Sequence, residues 1–171
     1  MADIHFICKP YKDDEKSYLA LQFFKQIIEN HPYLEEFYRM LVLKMEKFTI
    51  KNERIDQLKY SVQNGWHMEI NYCDIMGILR PMIVIKKLKR DHCTYEIRIN
   101  GESDKTRILF FHTDIQAVEN LLIILSYGYN KNRSTKDMTN ELANSTESIK
   151  LDIETHRRPQ QRVFEWIGVD N

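Results

Sequence analysis

Arg98 and Arg107 stand on either side of an Asn100-Gly101 dipeptide, each inside a run with strand-like patterning. Asn-Gly is a strong local turn signal, so a short antiparallel hairpin through it would bring Arg107 near Arg98. Lys131 and Arg133 follow the apolar run at 121–129, where they would leave the end of a further strand. Together these cations would rim a concave sheet face. Such a face can bind a phosphodiester and stabilise the extra negative charge of its transition state. Tyr127 or Tyr129 would supply a ring on which an unpaired RNA base stacks. The same residues also fit a plainer alternative, a sheet face kept soluble by Arg and Lys.

Other chemistries find no support in the residue pattern. The six histidines (5, 31, 67, 92, 112 and 156) are scattered, and His92-Cys93 is adjacent rather than at ligand spacing, so no metal is expected. The glycine-loop nucleotide motifs GxxxxGK[ST] and GxGxxG are missing, as is the nucleophile motif GxSxG. No cofactor is expected. The strand region is poor in acids, which argues against paired-carboxylate chemistry.

The charge distribution agrees with an anionic partner. The chain of 171 residues carries 25 Lys+Arg and 25 Asp+Glu. Residues 80–136, however, hold eleven basic side chains against six acidic ones, an excess that the rest of the chain balances with acid. A basic middle framed by acidic ends suits a phosphate backbone. Hydrophobic residues make up 43%, which excludes a wholly disordered chain and suffices for one domain with a real core. Three cysteines (Cys8, Cys73, Cys93) cannot close a disulfide set, and a reducing compartment fits best. The start MADIHFICKP has no basic leader before an apolar stretch, and no run approaches the ~18 apolar residues of a membrane span. A soluble, cytoplasmic protein is expected.

The elements that must position the cations follow from periodicity. Ile4, Phe6 and Cys8 alternate with their neighbours up to Lys9-Pro10, a short strand. Leu19, Phe23, Phe24, Ile27 and Ile28 form a helical stripe from about Ser17, and Pro32 opens a second helix that runs to about Lys51. The two read as an αα-hairpin packed on something flat. Residues 52–81 show strand-like alternation at Trp66, Met68, Ile70 and Tyr72 but no clean period, and read as an insertion. Strand runs follow at 83–88, 95–99 and 106–112, with the long apolar run at 121–129 as a buried central strand. Ser134-Thr135-Lys136-Asp137 caps a final helix through Met138, Leu142, Ile149 and Ile153. Beyond Thr155 a polar tail carries Phe164, Trp166 and Ile167, apolar side chains that would anchor on a surface or partner. The fold class is α+β: an N-terminal strand and αα-hairpin on a small, mainly antiparallel sheet, with a C-terminal helix.

Three segments carry a family likeness. Lys86-Lys87-Leu88, Tyr95-Glu96-Ile97-Arg98 and Arg107-Ile108-Leu109-Phe110-Phe111 are followed by an apolar strand, a turn with Lys131 and a helix capped at Thr135. This succession resembles the HigB-like, phage-associated branch of the RelE/ParE toxin superfamily. The likeness covers 83–142 well and the first fifty residues by pattern. It implies a RelE-like domain over 1–155, interrupted at 52–81 and followed by a tail at 156–171. It also implies a toxin of a type II toxin–antitoxin system that cleaves mRNA on the ribosome, inhibits translation and is masked by a cognate antitoxin. In that reading Arg98, Arg107 and Lys131 are catalytic. Lys87, Lys89, Arg90, Arg133 and Lys136 contact RNA phosphates, and Tyr129 contacts a base. His112 is a candidate general base, or else an ordinary strand-end histidine. The chain departs from the family in its length, its overall neutrality, Asn130 and Asn132 around the turn lysine, and Lys136 where a proline is usual. The alternative is a non-catalytic binding or regulatory protein of a mobile element built on the same fold.

Overall fold

The computed structural model describes residues 1–73, 76–89, 93–100, 105–116 and 118–169. Among these residues, nine strands and four α-helices follow in order: β1 (Ala2–Phe6), α1 (Ala20–Asn30), α2 (Leu34–Met45), β2 (Ile50–Lys51), β3 (Arg54–Ile55), β4 (Lys59–Ser61), β5 (Gly65–Cys73), β6 (Leu79–Lys87), β7 (Tyr95–Asn100), β8 (Lys105–Thr113), β9 (Leu121–Asn130), α3 (Lys136–Thr155) and α4 (Pro159–Ile167). Short 3-10 turns cover Asp13–Tyr18 and Lys131–Arg133.

Seven strands make one mixed sheet in the order β1-β9-β8-β7-β6-β5-β4. Every pairing is antiparallel except β1 with β9, which is parallel. The class is α+β, with a larger sheet than the sequence suggested. Residues 52–81, expected as an insertion, contribute strands to the main sheet. Trp66, Met68 and Ile70 alternate because they pack their apolar side chains on the main core, and this adds β4 and β5 to the sheet. Gly65 turns the chain between those two strands at φ 66°, a left-handed value that glycine adopts without strain. The second helix stops at Met45, short of the expected Lys51, and the chain then enters the β2–β3 hairpin.

Helices cover both faces. On one, α1 and α2 bury Ala20, Ile27, Tyr38, Leu41 and Met45 against Ile97, Ile99, Ile108 and Phe110. On the other, α3 and α4 bury Leu142, Ile149, Ile153, Val163 and Trp166 against Leu109, Phe111, Leu122 and Ile124. Alternation along β8 and β9 serves both cores at once, so these strands read as continuous apolar runs. The layers approach closely at Gly128: a Cβ placed there would lie 2.2 Å from Phe23 Cδ1, so α1 rests on the bare backbone of β9.

The tail at 156–171 contains the helix α4. Trp166 is buried, its indole N–H donates to Asp152 Oδ2 at 2.7 Å, and the Cys8 N–H donates to the Trp166 carbonyl at 2.8 Å. Trp166 is therefore an internal anchor and leaves no ring to hold a partner. Burial works against the Asp152 carboxylate, yet the hydrogen bonds from Arg162 and Trp166 hold its pKa below the usual carboxylate value.

A buried carboxylate fastens the 3-10 turn at 13–18 to the sheet. Glu15 Oε2 accepts from the Tyr127 hydroxyl at 2.7 Å and from the Lys12 N–H at 3.0 Å, while Oε1 accepts from the Ser145 hydroxyl. Tyr127 also accepts from the Tyr11 N–H at 2.8 Å. It is fully buried, which pushes its pKa up, and it cannot offer a face to a base.

Candidate functional site

The hairpin expected from Asn100-Gly101 forms between β7 and β8, and residues 101–104 of its loop lie outside the described residues. Its register sets Arg98 directly opposite Arg107, and the next ladder sets Arg107 opposite Tyr129. Three neighbouring strands thus place Arg98, Arg107 and Tyr129 in one row on the α3 face. Glu96, two residues before Arg98, shares that face, and Lys86 on β6 stands opposite Glu96.

Glu96 organises the row. Its Oε1 lies 3.2 Å from Arg98 Nε and 3.9 Å from Arg107 Nε. Neither Nε–H makes a hydrogen bond, so both contacts are ion pairs only. Arg107 is 1% exposed and is oriented by two bonds from Nη1, to Asn100 Oδ1 at 2.9 Å and to the Thr106 carbonyl at 2.8 Å. Burial, then the neighbouring Arg98, lowers its pKa from the ordinary arginine value. Arg98 is the more accessible of the pair, with a side chain 17% exposed.

The cationic field extends beyond the pair. Burial pulls the Lys86 ammonium below its ordinary pKa, and Arg98, Lys89 and Lys131 pull the same way while Glu96 opposes them. Among the described residues, Glu96 is the carboxylate that pairs with Arg98 and Arg107 and the one that favours the charged form of Lys86. Lys131 and Arg133 sit exposed in the 3-10 turn after β9, and Lys136 sits exposed in the first turn of α3. Thr135 caps that helix by accepting from the Met138 N–H at 3.1 Å. Its positive end adds to the field around Lys131.

Several expected site residues fall elsewhere. Tyr129 is 2% exposed, so it forms part of the floor and cannot stack on a base. Burial pushes its phenol up to about 12, and Glu96 adds to the shift. Lys87 pairs opposite Tyr95 and so belongs to the α1–α2 face, away from Arg98. Lys89 is exposed just past β6, and Arg90 lies outside the described residues.

His112 is also on the α1–α2 face, buried beside Tyr95, whose ring in turn stacks on Phe110. The Tyr95 hydroxyl reaches its Nε2 at 3.3 Å, and the Glu53 backbone takes the remaining ring N–H. Those partners assign the neutral tautomer protonated on Nδ1. Burial, with Lys150 behind it, brings the imidazole pKa down to about 4. His112 is a packing residue and is separated by the sheet from the arginine row.

Two members of the site were missed in the sequence, Glu96 and Lys86. Strand alternation puts Glu96, two residues before Arg98, on the Arg98 face, and an acid at that spacing is the available signal. Among the described residues, no group of three or more His, Cys, Asp or Glu side chains is placed to hold a metal ion, and no helix is long and apolar enough to cross a membrane. No family model, curated protein or solved structure matches this chain.

Proposed function

We propose that the chain is a RelE-like toxin, an endoribonuclease that cleaves mRNA on the ribosome and is held inactive by an antitoxin covering the arginine row. The observation that carries this reading is the cross-strand row of Arg98, Arg107 and Tyr129 with Glu96 between the guanidinium groups. The element order supports it as well: a first strand, an αα-hairpin, then an antiparallel run ending in a Thr-capped helix.

In this mechanism the RNA 2′-oxygen attacks the adjacent phosphorus while its proton passes to the Glu96 carboxylate. The new bond joins O2′ to phosphorus, and the bond from phosphorus to O5′ breaks. Lys131 supplies the proton to the departing O5′, which leaves a 2′,3′-cyclic phosphate and a 5′-hydroxyl end. Arg98 faces the non-bridging oxygens as their charge grows, a role worth a factor of roughly 10² to 10³ in rate for a single donor. Arg107, fixed from below by Asn100 and Thr106, is a positioning residue that orients Glu96. The chemistry needs no metal.

The burial of Arg107 also favours a second reading, in which the row is structural and the protein binds a partner without cleaving RNA. Purified protein added to ribosomes stalled on a defined message separates the two. Fragments with 2′,3′-cyclic phosphate ends that disappear with Glu96→Gln support the nuclease. Intact message beside tight capture of a protein partner supports the binder.

A further inference from the structure

We propose that the outer end of the sheet carries a second contact for single-stranded RNA, a cleft that stacks one base on Tyr60 and holds a neighbouring phosphate with Lys89. The proposal rests on the nuclease reading for the identity of the polymer, and it is separate from the reacting centre. The cleft encloses about 350 Å³ between Tyr60, Trp66, Leu88, Lys87 and Lys89, and no acidic side chain lines it among the described residues. That volume suits a single small ligand.

The aromatic pair is arranged for stacking. Tyr60 stands directly across from Trp66 in the β4–β5 ladder, with ring centroids 5.3 Å apart and planes tilted by 56°. The Arg54 guanidinium carbon lies 3.5 Å from the Trp66 ring centroid and holds the indole in place. Tyr60 is left 61% exposed, a large ring on an edge strand that buries little of its own surface. A packed core gains little from such a ring, whereas an unpaired base gains a platform.

The aromatic pair and Lys87 lie on the α1–α2 face and the arginine row on the α3 face, with Lys89 at the end of β6 where the two faces meet. Lys89 lines the cleft and also lies close enough to Lys86 to disfavour its charged form, and Lys86 faces Glu96. A strand of RNA leaving Arg98 would pass Lys86 and reach Lys89 at the end of β6, where it can turn into the cleft. The elements that build the platform, β4 and β5, are those added by residues 52–81.

The test is fluorescence anisotropy of a fluorescein-labelled ten-nucleotide oligouridylate titrated with the full chain at low salt. Tyr60→Ala is expected to weaken binding roughly tenfold and Tyr60→Phe by no more than about twofold, because a phenyl ring stacks as well. Lys89→Ala should weaken binding and reduce the salt slope by about 0.7, the share of one phosphate contact on a single strand. The Tyr60 effect should persist in an Arg98→Ala background. Equal affinity of Tyr60→Ala and the parent chain, absence of saturable binding, or equal competition by a ten-residue polyglutamate would each overturn the proposal. A chain that cleaves no RNA yet shows the Tyr60 effect keeps the contact and loses the nuclease; cleavage without a Tyr60 effect does the reverse.

Discussion

Replacing His112 by glutamine isolates one titration in the core and gives a stability change with a definite sign. Folding brings this imidazole from 6.5 down to about 4, through burial first and Lys150 second. The unfolded chain therefore holds the proton more tightly between those two values. The group's contribution is fully present above pH 6.5 and is lost as pH falls towards 4. At about 1.36 kcal/mol per pH unit, a shift of this size is worth about 3 kcal/mol. For a chain of this length that corresponds to a fall in Tm of roughly 6–12 °C.

Glutamine cannot titrate, and its amide can still donate to the Glu53 backbone and accept from the Tyr95 hydroxyl. Urea unfolding followed by tryptophan fluorescence at pH 7, 6, 5 and 4 is the assay. The parent chain should lose about 3 kcal/mol more than His112→Gln across that range, nearly all of it below pH 6.5. Parallel pH profiles for the two proteins would refute the placement of His112 as a buried neutral group.

Other consequences follow from contacts in the two cores. Gly128→Ala pushes a methyl group to 2.2 Å from Phe23 Cδ1 and 2.8 Å from Phe23 Cβ, so rotating the ring does not relieve it. We expect a loss of roughly 1–3 kcal/mol in chemical unfolding. Combined with Phe23→Ala the two changes should couple by at least about 1 kcal/mol, and simple additivity would contradict the close approach of α1 to β9. Glu15→Ala removes the acceptor for the Tyr127 and Ser145 hydroxyls and the Lys12 N–H, and should cost roughly 2–4 kcal/mol. Glu15→Gln keeps one acceptor and should cost clearly less in the same denaturation series.

The parts that were legible in the sequence are those written in short spacings. The β7–β8 hairpin, with Arg98 and Arg107 near each other, followed from alternation and an Asn-Gly turn. The Thr135 cap and the paired helices after the first strand were legible for the same reason. What stayed hidden depends on registers and packing that no local pattern carries. Which of Lys86 and Lys87 faces Arg98 is decided by the β6–β7 register, set across a connection of several residues. Tyr129 looked like an accessible ring until α3 folded over the end of β9 and buried it. Tyr127 is held by Glu15, 112 residues away in the chain. Residues 52–81 looked irregular because β3 and β4 are only two and three residues long and are separated by turns, and β5 slips register at Met68 and Glu69 against β6. Trp66 and Met68 nevertheless alternated as strand residues do. Trp166 was read as a partner anchor because its burial needs α3, Lys9 and Tyr11 together.

The central claim is that the arginine row cuts RNA. Controlled expression in a bacterial host, with mRNA ends mapped by primer extension, tests it most directly when Arg98→Ala, Glu96→Gln and Lys131→Ala are run beside the parent chain at equal soluble levels. The account predicts growth arrest and new ends inside translated messages for the parent chain, reduced by roughly 10² or more in Arg98→Ala. Normal growth with intact messages, or ends that persist unchanged in all three variants, would contradict it.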